Sequence, residues 1–263
     1  MMRALYSAAS GMTAQQLNVD NIANNLANSN TAGYKSRQMQ FQDLLYQNMV
    51  TPGASAGQQT TVPTGLQVGL GTRTSSNEVI FTQGNFQETD NPLDLVIQGK
   101  GFFQIKLPNG EVAYTRAGSF HTDPNGNIVD SNGNQLQPTV TVPADAQTLT
   151  IATDGTVSYS LPNQTATQVA GQIQLANFQN PAGLNSLGQS MFAPTNASGQ
   201  PVTGNPGGAE GIGTVLQGYT EQSNVSVVNE FINLIVAQRT YEANAKVVKA
   251  SDEMFQDVNN LKQ

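Results

Sequence analysis

Apolar residues recur every seven positions at both ends of the chain and nowhere between. Leu5, Met12, Val19 and Leu26 form one line, and Val227, Leu234, Tyr241, Val248 and Phe255 form the other. A seven-residue repeat sets an apolar seam along one side of an α-helix, and a seam needs a partner helix. The pattern predicts a first helix over 3–28, its stripe widened by Ala8, Ala9, Ile22 and Ala23, and a last helix from Asn224 or Ser226 to Leu261, widened by Phe231, Ile235, Ala245 and Val258. At 1.5 Å per residue they measure about 40 and about 55 Å. Gly11 costs about 1 kcal/mol inside a helix, and is either a tolerated weak spot or a place of close approach. Asn24, Asn25, Asn28 and Asn30 crowd the end of the first helix, where short amides compete for backbone hydrogen bonds. Ser226 or Asn224 is placed to cap the last helix, with Glu230 in its early turns. Gln238 and Asp252 interrupt its stripe.

The middle reads differently. Residues 38–49, with Met39, Phe41, Leu44, Leu45 and Met49, predict a short helix or an extended packing segment. From Thr51 to Thr74, Pro52, Gly53, Gly57, Pro63, Gly65, Gly69 and Gly71 exclude a helix and predict a long loop with short extended pieces such as Leu66-Gln67-Val68. From Glu78 to Ala176 the signals are β. Strand candidates are Val79 to Phe81, Leu93 to Ile97 and Phe102 to Leu107. Asn109-Gly110, Asn125-Gly126, Asn132-Gly133 and Asp154-Gly155 are hairpin turns, read as pairs in which both residues accept a positive φ. Residues 177–214 are Gly- and Pro-rich with little periodicity. The fold class is α+β with a mainly β body: terminal helices pairing as a coiled coil, with an antiparallel β-rich central domain. The implied domains are 1–36 with 222–263 (terminal coiled coil), 37–76 (an extended Pro/Gly-rich connection) and 77–221 (the β-rich outer domain).

Composition sharpens this picture. Charged residues make up only 11% of the 263, well under the usual quarter. A surface that is polar without being charged suits dense packing of copies. The net charge of −7 and the absence of any Lys/Arg cluster denser than Lys35 and Arg37 exclude a nucleic-acid binder. No cysteine is present, so disulfides and thiolate sites are excluded. The start of the chain lacks the apolar core of a secretory signal, and no apolar run reaches membrane-spanning length.

Candidate chemistry is sparse. His121 is the sole histidine and has no Gly-x-Ser-x-Gly context. Asp123 to Asn127 resembles a calcium loop, but its glycine comes early and position twelve is Asn134. Asp90 and Asp94 lack the aromatic platform of a glycosidase. The chain is therefore read as a non-enzyme with no catalytic, cofactor-binding or metal residues and no cofactor.

Three segments carry a family resemblance. Asn21 to Asn28 followed by Asn30-Thr31-Ala32-Gly33-Tyr34-Lys35 resembles the N-terminal motif of bacterial flagellar rod and hook proteins. Leu93 to Ile97, Gly99, Gly101-Phe102-Phe103 and Tyr114-Thr115-Arg116-Ala117-Gly118-Ser119-Phe120 resemble its β-domain motif. Ala237 to Lys246 resembles its C-terminal motif, with departures at Phe231 and Thr240 that stay compatible with a helix. Leu45-Tyr46-Gln47, Pro52-Gly53-Ala54, Pro63 to Gly69 and Phe81 to Asn85 point to the distal-rod branch. The resemblance implies a structural subunit of the flagellar basal body. Such a subunit is exported to the periplasm through a type III channel without a cleaved signal. It assembles helically into a straight tubular shaft that passes torque from motor to hook. Its partners are further copies, proximal rod subunits, hook subunits and surrounding ring proteins. Its terminal helices fold on assembly, because an isolated amphipathic helix has nothing to bury its stripe against. The self-assembly residues are then Leu5, Met12, Val19, Ile22, Leu26, Val227, Phe231, Leu234, Tyr241, Val248 and Phe255. Pro52, Pro63, Leu66 and Val68 belong to a rod-specific contact segment. Another rod or hook subunit, or a secreted β-rich adhesin, is the alternative.

Overall fold

The computed structural model describes residues 2–53, 55–57, 60–61, 63–162, 166–208 and 211–260. Leu261, the predicted end of the last helix, and Ala54 of the Pro52-Gly53-Ala54 segment lie outside them. The chain divides into two compact units, one of residues 1–27, 37–78 and 226–263 and one of residues 28–36 and 79–225.

The first unit holds both helices. α1 runs Met2–Ala27 and α2 runs Val227–Asn260, close to the predicted bounds. They lie antiparallel: Gly11 of α1 meets Asn244 of α2, and Asn25 meets Glu230. Among the described residues, Arg37–Asp43, Tyr46–Val50, Ser55–Gly57, Thr60–Thr61, Leu66–Gly69 and Thr72–Val79 are strands: 38–49 takes the extended alternative, and the Pro/Gly-rich stretch holds more strand than the short extended pieces expected. Arg37–Asp43 pairs with Thr72–Val79, and Tyr46–Val50 pairs antiparallel with Leu66–Gly69. Gln38, Gln40 and Gln42 alternate with Met39 and Phe41, which puts the two apolar residues on one side and is strand periodicity. The Pro/Gly-rich stretch is thus largely a β-ribbon, with Gly65 placed where a Cβ would sit 2.6 Å from Pro52 Cδ.

The second unit is the β body. Among the described residues its largest sheet has nine strands, built around Phe102–Lys106, which pairs antiparallel with Val112–Thr115, Gln135–Gln137 and Leu175–Asn177. Phe102, Phe103, Gln104 and Ile105 are all buried, because both faces of this strand are covered. Phe103 and Ile105 enter a core with Leu95, Ile97, Phe120, Leu136, Val157 and Leu175. Phe102 enters a second cluster with Tyr114, Phe178 and Phe192, where the rings meet edge to face at centroid distances such as 4.8 Å (Tyr114–Phe178) and 5.7 Å (Phe102–Phe178). A separate three-stranded sheet joins Thr148–Ile151, Thr156–Ser160 and Gln168–Gln172.

All four predicted turns close hairpins, but only the glycine takes a positive φ: 86° at Gly110, 81° at Gly126, 83° at Gly133 and 81° at Gly155. Asp123 and Asp130 head two loops of one design. Each carboxylate accepts the backbone N–H groups two and four residues on, and an Asn side chain as well. Residues 177–214, which show no sequence periodicity, contribute the strands Asn185–Gly188, Met191–Ala193 and Val202–Gly204.

Candidate assembly interface

The two helices touch along a line that the seven-residue seam did not name. On α2 the buried side chains are Ala237 and Ser251. With Glu230 and Asn244 they make a second line of period seven, of small and polar residues, three positions on from Val227, Leu234, Tyr241 and Val248. On α1 the buried positions are Ala8, Ala14, Asn21, Ile22 and Asn25. A Cβ on Gly11 would stand 2.8 Å from Asn244 Nδ2, so the glycine permits close approach. Of the predicted self-assembly residues, Ile22 is buried, while Leu5, Met12, Val19, Leu26, Leu234 and Val248 are half-buried. Val227, Phe231, Tyr241 and Phe255 are exposed. In the ribbon, Pro52, Pro63 and Leu66 are exposed and Val68 is half-buried.

Buried amides fix the start of the ribbon on α1. Asn21 and Asn25 each donate from Nδ2 to Arg37 O (2.8 and 2.9 Å), and Arg37 N–H donates back to Asn25 Oδ1 (2.9 Å). Asn25 also donates to Glu230 Oε1 at 3.3 Å. Burial pushes the Glu230 carboxyl above its ordinary range, and the Asn25 bond opposes that. The sequence places Asn25 among the residues that end the helix and both asparagines in the N-terminal motif, without this contact. Their spacing of four, on one helix face, was the available signal.

What α2 does not bury defines the site. Val228, Phe231, Ile232, Ile235 and Val236 are between 49% and 69% exposed over two and a half turns. In the ribbon Leu45 is 87% exposed, and Tyr46, Met49 and Leu66 are exposed beside it. Apolar surface on this scale marks an interaction face. The polar candidates for chemistry are engaged locally: Asp94 accepts from Thr89 Oγ1 and Asn91 Nδ2 within its own turn, and His121 stands exposed on a two-residue strand. Among the described residues no group of His, Cys, Asp and Glu is placed to hold a metal, and no helix is long and apolar enough to cross a membrane.

Three family models match the chain: Flagella basal body rod protein over residues 5–35, Flagellar hook protein FlgE/F/G D1 domain over 96–159, and Flagellar basal body rod FlgEFG protein C-terminal over 216–261. The flagellar basal-body rod protein FlgG of Caulobacter vibrioides is 49% identical over 99% of this chain and all of its own length. The chain belongs to the flagellar basal-body rod and hook protein family. FlgG of Borreliella burgdorferi is 46% identical over the whole chain and 99% of its own length, and FlgG of Bacillus subtilis is 38% identical over the full length of both. A flagellar hook-basal body complex protein of Bacillus subtilis, FlhP, is 29% identical over the full length of both. The family models cover both helices and much of the β body, and leave the ribbon unmatched.

Proposed function

We propose that this chain works by polymerising helically into a straight tube, with the exposed faces of its terminal helices buried against those of neighbouring copies. Its family membership makes it a structural subunit of the flagellar distal rod, sited in the basal body. The reading further assigns it to the periplasm, with export that needs no cleaved signal. Its neighbours are proximal rod subunits, hook subunits and ring proteins around the shaft. The terminal segments 1–36 and 222–263 supply the tube-forming contacts. The connection 37–76 packs on adjacent copies and resists axial sliding, which stiffens a shaft that carries torque. The outer domain is 77–221.

One observation carries the proposal. α2 is a 34-residue helix that buries only Ala237 and Ser251 in the single chain and leaves Phe231 and Ile235 about half exposed or more. Most helical stability in proteins comes from packing an amphipathic face, so such a helix is completed by other molecules. Repeating a heterologous contact whose rotation does not close builds a filament. The test is Phe231→Asp and Ile235→Asp in the full chain. Both sites are exposed in one molecule, so the monomer keeps its fold while filament growth stops, because a buried unpaired carboxylate is strongly unfavourable. Normal filaments from either variant would overturn the proposal.

A further inference from the structure

The most heavily charged interior of this molecule lies in the β body, and it has no role in the reading above. Glu221 is 1% exposed. Its Oε1 accepts from Lys35 Nζ at 2.7 Å and from Gly84 N–H at 2.9 Å, and its Oε2 lies 3.6 Å from Arg116. Its backbone carbonyl accepts Gly33 N–H at 2.8 Å. Lys35, itself 2% exposed, also donates to Thr82 O. Arg116 donates to Ile97 O (3.2 Å) and Gly99 O (2.6 Å), and its guanidinium lies 5.6 Å from the Phe102 ring centre. Burial pulls the Lys35 ammonium below its ordinary range, and Glu221 works against that.

Three residues after Glu221, Asn224 repeats the arrangement without charge. Its Oδ1 accepts Ser36 N–H at 2.7 Å, and its Nδ2 donates to Ile80 O (2.8 Å) and Thr82 Oγ1 (2.9 Å). Asn224 was one of two candidate helix caps with Ser226, but its amide is spent here. Residues 33–36 are therefore tied to residues 221–224 by backbone, amide and ion-pair contacts. In chain order the first segment follows α1 and the second precedes α2.

We propose that Glu221 is a positioning residue: with Lys35, Arg116 and Asn224 it builds a clamp that holds the stems of the two terminal helices together in the free subunit, before assembly orders the helices themselves. Ser36 and Asn224 are 188 residues apart in sequence. Without the clamp, the helices would meet as the ends of a long loop. With it they meet as neighbours, at a raised effective concentration. A buried ion pair suits this task better than apolar contact, because removing one partner strands a charge and so penalises misplaced stems. The inference rests on the assembly reading for its purpose, though not for its geometry.

Hydrogen exchange on the dilute full-length chain tests it. Gly33, Ser36 and Gly84 amides exchange slowly in the wild type while amides of α1 and α2 exchange fast. Glu221→Gln, and separately Asn224→Ala, lower protection at Gly33 and Ser36 by about tenfold or more, since bonds to charged or buried polar groups are worth that much. Core amides such as Ile97 and Phe103 keep theirs, and filament growth slows. Helices that are equally protected in the dilute chain would count against assembly-coupled folding and leave the clamp standing. The clamp is overturned in any of three cases. Gly33 and Ser36 could exchange at the rate of an unstructured chain in the wild type. Both variants could grow filaments at the wild-type rate. Or both variants could lose core protection together with the stems, which would make these residues ordinary parts of the body.

Discussion

Gly33 and Gly118 show what single positions in the family motifs are for. Gly33 has φ 68°, and a Cβ there would fall onto the backbone of Ala117. Gly118 has no such conformational demand, but a Cβ would strike the carbonyl oxygen of Leu95. Neither obstacle can move aside, since both are backbone. Gly118→Ala should cost ~3 kcal/mol through forced displacement of the Leu95–Gln98 strand, measurable as a lower urea midpoint for the β body. The opposite case is Gln189 and Ser190, with φ 54° and 58°. They form the two-residue loop of the hairpin in which Gly188 pairs with Met191. Asn-Gly suits such a loop, so Gln189→Asn with Ser190→Gly should add ~1 kcal/mol to the body's stability at unchanged denaturant slope. At this scale the sequence was legible where a motif was dense: Lys35 and Arg116 both sit in quoted motifs and both prove buried. Glu221, their common partner, sits in the unremarkable run Tyr219-Thr220-Glu221-Gln222, and nothing in its neighbours announces a buried carboxylate.

Helices and turns were the elements most readily read from sequence, because each carries a local signature. α1 and α2 show a seven-residue repeat, and the hairpins show Asn-Gly or Asp-Gly. The strands in 185–204 have only 3 or 4 residues, too few for periodicity to declare itself against Gly and Pro. The small residues of the contact within one chain went unnamed for a related reason. Large apolar residues attract notice, whereas the antiparallel contact within one chain is made by Ala237, Asn244 and Ser251, which let backbones come close. Ala237→Leu should therefore loosen the pair by ~1–3 kcal/mol, read as faster exchange of α1 amides in the assembled filament, while Ile235→Leu leaves it alone. The turns make a different prediction. The Asn127 side-chain bond, with backbone bonds from Asn127 and Asn125, holds the Asp123 carboxyl below its ordinary value of 3.8. A carboxyl depressed in the folded state contributes stability above its unfolded value and loses it as pH falls through the folded one. Thermal unfolding of the β body should therefore drop in temperature below about pH 3.8, and Asn127→Ala should flatten that drop. An unaltered acid limb in the variant would show that the bond does not hold the carboxyl down.

Charge is unevenly shared across the whole molecule, and this bears on how copies come together. The unit of residues 28–36 and 79–225 carries four Lys/Arg against ten Asp/Glu, a net −6, and the helical unit carries seven against eight, a net −1. Two of the four cations in the β body, Lys35 and Arg116, are buried against Glu221, so the body's accessible charge is mainly acidic, with Lys100 and Lys106 as its exposed cations. The helical unit is close to neutral and presents the apolar faces. On the proposed assembly, attraction and repulsion between copies fall to different parts of one chain: the helices would drive association by burying apolar area, and the bodies would oppose it through like charge. Only the second contribution is screened by salt, whose Debye length shortens from about 30 Å at 0.01 M to about 8 Å at 0.15 M. The critical concentration for filament growth should accordingly fall severalfold over that range. Asp145→Asn with Asp154→Asn, which removes two acidic charges from the body, should give part of the same fall at low salt. A critical concentration that rises with salt, or ignores both salt and the double substitution, would mean that the acidic bodies of neighbouring copies do not face each other.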